Sequence, residues 1–213
     1  MKEEEKLLSL INRSTEFQTE ITNIIQSLSP VAEDRFTISY QSGLLAFEHA
    51  NAALLLINSG LFASGYSHFR PQFESLIRGI WLLYSASDSW INKLNQPLTM
   101  DSASKADKSP MLSEMLTQIE NSNAPTHLVL QLKEYKDTTW KALNSYSHAG
   151  FHPLTRTIIG YPAKLTYDSL RNSNAVSALT VQLLVILSGY PERMSLIREL
   201  HKEFLDCLPI KNF

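Results

Sequence analysis

Apolar residues at three- and four-residue steps organise the start of the chain. Leu7, Leu10, Ile11, Phe17, Ile21, Ile24, Ile25 and Leu28 form one stripe of a helix that Ser29-Pro30 ends. A second helix is predicted over 34–59, where Leu44, Leu45, Phe47, Ala50, Ala52, Ala53, Leu54, Leu56 and Ile57 leave it apolar on most sides and so place it centrally. After Ser59-Gly60 the helical period resumes through Phe62, Tyr66, Phe69, Phe73, Leu76, Ile77, Ile80, Leu83 and Tyr84, to about residue 86. Pro71 lies inside this pattern. It lacks a backbone donor and crowds the preceding turn, so a kink is expected there, the alternative being a new helix with the proline in its first turn.

The periodicity then lapses. Residues 88–110 are polar and contain Asn95-Gln96-Pro97, which predicts a flexible loop. A short helix follows near 111–121. Asn123-Ala124-Pro125 reads as the start of another, running through Leu128, Leu132, Tyr135, Trp140 and Leu143 to about Ser147. Gly150, Pro153, Gly160 and Pro162 crowd the next stretch, so 148–167 is expected to be a structured loop. Two final helices, 168–188 and 192–207, are joined by Gly189-Tyr190-Pro191, a stop followed by a start. Without a repeat or a strand pattern, the reading is one all-α domain over 1–213 with about six to seven helices.

Composition narrows the function. With 213 residues, 44% of them hydrophobic and 19% charged, the chain can bury a sizeable core. Its formal charge of −2 gives no overall pull toward nucleic acid or anionic membrane, so either would need a local basic cluster. The single cysteine, Cys207, excludes an internal disulfide or a cysteine metal site and reads as a small core residue. The N-terminus, Met1-Lys2-Glu3-Glu4-Glu5-Lys6, mixes both charges and lacks the form of a secretion signal. The most apolar runs, 54–57 and 181–187, are broken by Asn58, Gln182 and Gly189, short of the roughly 20 residues a membrane span needs. A cytoplasmic protein without a membrane partner is expected.

Two polar constellations stand out from this background. Arg70, Glu74 and Arg78, at i, i+4 and i+8, share one helix face among Phe69, Phe73, Leu76, Ile77 and Trp81. Such a strip is either a ladder of ion pairs tying helices together or a ligand site, since a guanidinium can hold a carboxylate or phosphate through two bonds. The second constellation runs from Asn144 through Tyr146, His148, Gly150 and His152 to Arg156, at a predicted helix end. Two imidazoles can move a proton near neutral pH and an arginine can stabilise developing negative charge; equally, His148 and His152 could cap the helix or satisfy loop carbonyls. A metal site is disfavoured, because Gly150 and Pro153 argue against a helix that would align the two histidines, and no HExxH is present. His49, with Glu48 and Asn51 in an alanine- and leucine-rich helix, is a third candidate whose default is a structural hydrogen bond, whereas His68, His127 and His201 have no supporting cluster. No GxGxxG, P-loop, nucleophile elbow or paired-cysteine pattern occurs, so no cofactor is called for.

The combination of Glu48-His49 and Asn51, the run Phe69-Arg70-Pro71-Gln72-Phe73-Glu74 with Arg78-Gly79-Ile80-Trp81, and Leu143-Asn144-Ser145-Tyr146-Ser147-His148-Ala149-Gly150 with Arg156 resembles a family of bacterial helical proteins related to the HEPN superfamily. The resemblance spans about residues 40–190. It implies an up-and-down helical bundle, a homodimer, and in many members a metal-independent ribonuclease of toxin–antitoxin or phage-defence systems, with RNA or a nucleotide as ligand and an antitoxin or defence protein as partner. The superfamily's catalytic signature, an arginine followed after four to six residues by a histidine, is missing: seven residues separate Arg193 from His201 and two separate Arg198 from His201, while His152 precedes Arg156. A nuclease of this kind would therefore need Arg78 or Arg70 brought by the fold to His148 or His152, with Glu74, Asn144, Tyr146, Arg156 and His49 as further ligand-binding candidates.

Overall fold

The computed structural model describes residues 2–106 and 109–209, with residues 105 and 106 described by their backbone alone. The described residues form helices and connecting turns without a strand. In order these are α1 (Glu3–Gln26), α2 (Asp34–Asn58), α3 (Phe62–Ser67), α4 (Phe69–Tyr84), α5 (Asp88–Leu94), α6 (Met100–Ala106), α7 (Leu112–Glu120), α8 (Thr126–Ser147), α9 (Phe151–Ile159), α10 (Ala163–Leu187) and α11 (Met194–Glu203), with single 3-10 turns at Pro191–Arg193 and Leu205–Cys207.

The centre is the packing of α2, α4 and α10, with α1 laid along α10 and α7 and α8 against α4. The three central helices approach closely because small residues face each other. A Cβ at Gly43 would sit 2.7 Å from Leu184 Cδ2, and one at Gly79 would sit 2.9 Å from Leu183 Cδ2 and 3.2 Å from the Ser39 carbonyl. Hydroxyls and amides then bond across the seams without needing water. Ser39 Oγ donates to the Gly79 carbonyl (2.7 Å) and Ser42 Oγ to the Ser75 carbonyl (2.9 Å), while Gln72 and Ser173 exchange bonds between α4 and α10. Each of these seam groups has a partner, which is the condition for keeping such groups in a core.

At the far end of α4, Arg35 from the first turn of α2 donates to the carbonyls of Leu82 (2.6 Å) and Ala86 (2.8 Å) and pairs with Asp88 (2.7 Å). A cation on the last carbonyls of a helix satisfies its orphan acceptors and complements its dipole. The helix is thus fixed at one end by α2 and along its length by α10, leaving its N-terminal half to present Arg70 and Glu74.

The chain is divided more finely than expected. The helix predicted over 62–86 breaks at His68, so Pro71 is the third residue of α4, where its missing N–H would have had no helical partner, and not a kink within one helix. The predicted loop at 88–110 contains α5 and α6, each seven residues long and too short to show a period; residues 107 and 108 lie outside the described residues. The predicted loop at 148–167 contains α9 and the first turns of α10. Pro153 again occupies a first turn, with Gly150 as the N-cap of α9, so the prolines and glycines punctuate helices there and do not exclude them. Length and composition alone would let α10 cross a membrane, yet 67% of its most apolar window is buried inside the fold, as befits a core helix.

Candidate functional site

The turn between α8 and α9 sets the site's geometry. Its tightest point is not the glycine: Ala149 holds the left-handed φ of 50°, a conformation that a non-glycine residue adopts at a cost. Gly150 is needed for a different reason. A Cβ there would lie 2.7 Å from Ser145 Oγ and 3.2 Å from the Ser145 Cα and carbonyl oxygen. With that approach open, the Gly150 N–H donates to the Ser145 carbonyl (2.7 Å) and the His152 N–H to Ser145 Oγ (3.0 Å), which starts α9.

His148 and His152 therefore end on different helices, the first capping α8 and the second in the opening turn of α9. His148 reaches α4: its Nε2 is in hydrogen-bond contact with Arg70 Nη1. Because a guanidinium only donates, Nε2 must be the acceptor, a neutral imidazole with its proton on Nδ1. The same guanidinium donates through Nε (3.1 Å) and Nη2 (3.0 Å) to Glu74 Oε1 and lies 5.1 Å from the centroid of Trp140. Trp140 and His148 are two turns apart on α8, so Arg70 spans the turn that carries Asn144. Asn144 Oδ1 and the neighbouring Ser147 Oγ are both buried without a hydrogen-bond partner among the described residues.

Arg78, one turn beyond Glu74, is partly buried and makes no hydrogen bond to a described residue. Burial lowers its pKa, and the nearby Glu74 charge acts in the opposite direction. The expected ladder is therefore closed on one side only: Arg70 pairs with Glu74, and Arg78 remains a desolvated cation beside the pair.

The other flank of α8 carries Tyr146, with His152 and Arg156 of α9 beside it. They line a cavity of about 350 Å³ with Tyr66, Phe69, Tyr135, Leu143 and residues of α10. Burial raises the pKa of the Tyr146 hydroxyl, and the Arg156 charge partly offsets this. Tyr66 is 2% exposed, and burial pushes its hydroxyl up to about 12. Behind it Tyr161, stacked on Phe62, holds a buried hydroxyl without a hydrogen-bond partner among the described residues.

The sequence candidates thus resolve into three places. Arg70, Glu74 and His148 come together, with Asn144 and Arg78 alongside; Tyr146, His152 and Arg156 gather in the cavity; and His49 stands apart. His49 Nδ1 lies 3.1 Å from His68 Nδ1, a contact in which one ring donates and the other accepts. Burial lowers the pKa of His49, the His68 charge lowers it further, and Glu48 opposes both. His68 had no cluster of its own in the sequence; only the break between α3 and α4 turns it toward α2. Sequence reasoning also passed over Trp140 as a contact of Arg70, although its position two turns before His148 could have placed both on one face. Among the described residues no group of three or more His, Cys, Asp or Glu is arranged to hold a metal ion.

Residues 43–210 match the model of a family of unknown function, DUF6988, and the chain belongs to that family. The match includes every residue of the three clusters. No curated protein and no solved structure matches the chain.

Proposed function

We propose that this DUF6988 protein is a cytoplasmic, HEPN-like, metal-independent endoribonuclease whose reacting centre is formed by His148, Arg70 and Arg78. The observation that carries the reading is the contact between His148 Nε2 and Arg70. An exposed imidazole with its lone pair directed at a guanidinium can exchange that partner for a substrate. An incoming phosphodiester would draw Arg70 Nη1 onto a phosphate oxygen and free Nε2 as a base. The 2′-hydroxyl would give its proton to Nε2 as O2′ bonds to phosphorus. The P–O5′ bond would then break, and the leaving oxygen would recover a proton from the imidazolium. Arg78 has no hydrogen-bonding partner among the described residues to lose and would face the charge that builds on phosphorus. Glu74 holds Arg70 in place, and membership of a toxin–antitoxin or phage-defence pair with an antitoxin partner is what the resemblance adds.

Incubating the protein with unstructured RNA in EDTA tests this. Wild type is expected to cleave, and His148→Ala and Arg78→Ala, each folded by circular dichroism, to lose about a hundredfold or more of the rate. Absence of cleavage by wild type, or full activity in His148→Ala, would overturn it.

One observation favours a second reading, a non-catalytic binding and dimerisation module. Every nitrogen of Arg70 is already engaged, two by Glu74 and one by His148, as in a strut that ties α4 to α8. In addition α9 exposes Phe151, Leu154, Ile158 and Ile159, an apolar stripe that a homodimer would cover. Sedimentation showing a dimer that Ile158→Asp dissociates, together with RNA left intact, would select this reading.

A further inference from the structure

We infer that His49 and His68 form a two-histidine site for zinc, the ion taking the place of the hydrogen between their Nδ1 atoms. The pair stands apart from Arg70 and His148, and the inference does not depend on those residues being catalytic.

Helix packing makes the pair. His49, Ala53 and Ile57 are spaced four residues apart and share one face of α2, and α3 packs along that face. The approach is close because residue 65 is glycine: a Cβ there would lie 2.6 Å from Ile57 Cγ1 and 3.1 Å from the Ala53 carbonyl oxygen. His68 follows Gly65 by three residues, about one turn, and so meets His49. Its backbone is held at the joint between α3 and α4, where the His68 N–H donates to the Gly65 carbonyl (3.2 Å) and the His68 carbonyl accepts from the Gln72 N–H (3.0 Å). Both ligands are thus carried on backbone that the fold fixes, as a preformed ion site requires.

The spacing is that of two ligands on one ion. The Nδ1 atoms are 3.1 Å apart and the ring centres 5.4 Å apart. Bonds of about 2.0–2.1 Å at a tetrahedral zinc hold two imidazole nitrogens about 3.3 Å apart and their ring centres about 5.2 Å apart. The nitrogens now point at each other, so each ring would turn by roughly 35° to aim its lone pair at the ion, with its centre moving only a few tenths of an ångström. The protons balance. A hydrogen bond between two Nδ1 atoms needs one of them protonated and the other bare, so the neutral rings are opposite tautomers. On the ion both Nδ1 atoms are bare and both rings carry their proton on Nε2; one proton moves between nitrogens through water and none is released. Burial lowers the pKa of His49 and the His68 charge lowers it further, so protons compete weakly with an ion near neutral pH. The exposed Glu48 carboxylate, whose charge His49 feels, offsets part of the charge of the ion. With two protein ligands, water completes the shell and the expected dissociation constant is about 1–100 μM.

The test is isothermal titration of the untagged full chain with zinc chloride, with magnesium chloride as the control. One zinc is expected to bind per chain and magnesium none, because Mg2+ takes oxygen ligands. His49→Gln and His68→Gln, whose amides can keep a hydrogen bond between α2 and the α3–α4 joint, should each weaken zinc by about tenfold or more. His127→Ala and His148→Ala should leave it unchanged, and loss of zinc in His148→Ala would assign the ion to the Arg70 centre and overturn this site. Nitrogen NMR of the imidazoles gives a readout that a purely structural pair would not: opposite tautomers without zinc, and Nε2 protonation of both rings with it. Absence of heat at millimolar zinc, affinity unaffected by both glutamine substitutions, or opposite tautomers persisting at saturating zinc would each overturn the inference too.

Discussion

At Arg70 a single side chain holds the N-terminal half of α4 to the end of α8. Its two bonds to Glu74, its contact with His148 and its position over Trp140 are made by a group that is 21% exposed. Arg70→Ala is expected to cost about 1–2 kcal/mol in urea unfolding, a partly solvated pair being worth less than a buried one. The α8–α9 turn gives a paired prediction of opposite sign. Ala149→Gly relieves a left-handed φ and should stabilise by about 0.5–1 kcal/mol, whereas Gly150→Ala drives a Cβ against the Ser145 backbone and should destabilise by about 1–3 kcal/mol. Histidine titration sets the pH dependence. Burial holds His49 and His201 below the ordinary imidazole value of 6.5, and His201 Nε2 is buried without a partner among the described residues. As pH falls through about 6.5 the unfolded chain takes up these protons first, so stability declines until the depressed folded values are reached and then levels. Thermal melts from pH 8 to pH 5 should show this decline, and the double variant His49→Gln/His201→Gln should show a shallower one; an equal slope in both proteins would contradict the assignment.

At the scale of helices, the sequence was most legible where apolar spacing ran long and a terminus signal was present. The α2, α7 and α8 boundaries follow from Ser59-Gly60, from the short apolar run after Pro110, and from Asn123-Ala124-Pro125. It was least legible where a proline lay near a helix start. Pro71 and Pro153 each occupy a third helical position, and sequence alone does not say whether such a residue interrupts a helix or opens one. The seven-residue helices α5 and α6 were illegible because two turns cannot establish a stripe. Gly79 belongs to this scale, since what it permits is the crossing of α4 with α2 and α10. Gly79→Ala meets the Ser39 carbonyl, which cannot give as the Leu183 side chain can, and should lower stability by about 1–3 kcal/mol in urea unfolding.

Across the whole molecule, the residue types of the site were visible in the chain but their division was not. His148 and His152 are four residues apart, yet the α8–α9 turn lies between them, so one turns to Arg70 and the other to the tyrosine cavity. Partners of that kind are set by helix packing, for which a one-dimensional pattern carries no signal. His49 and His68 make the same point over nineteen residues. If His148 and the arginines of α4 cleave RNA by attack of the 2′-hydroxyl, as proposed, the RNA ends formed in EDTA carry the signature of that attack. Wild type is expected to leave 2′,3′-cyclic phosphates and 5′-hydroxyls, and His148→Ala neither. Uncut RNA, or ends bearing a 5′-phosphate from attack by water, would contradict it.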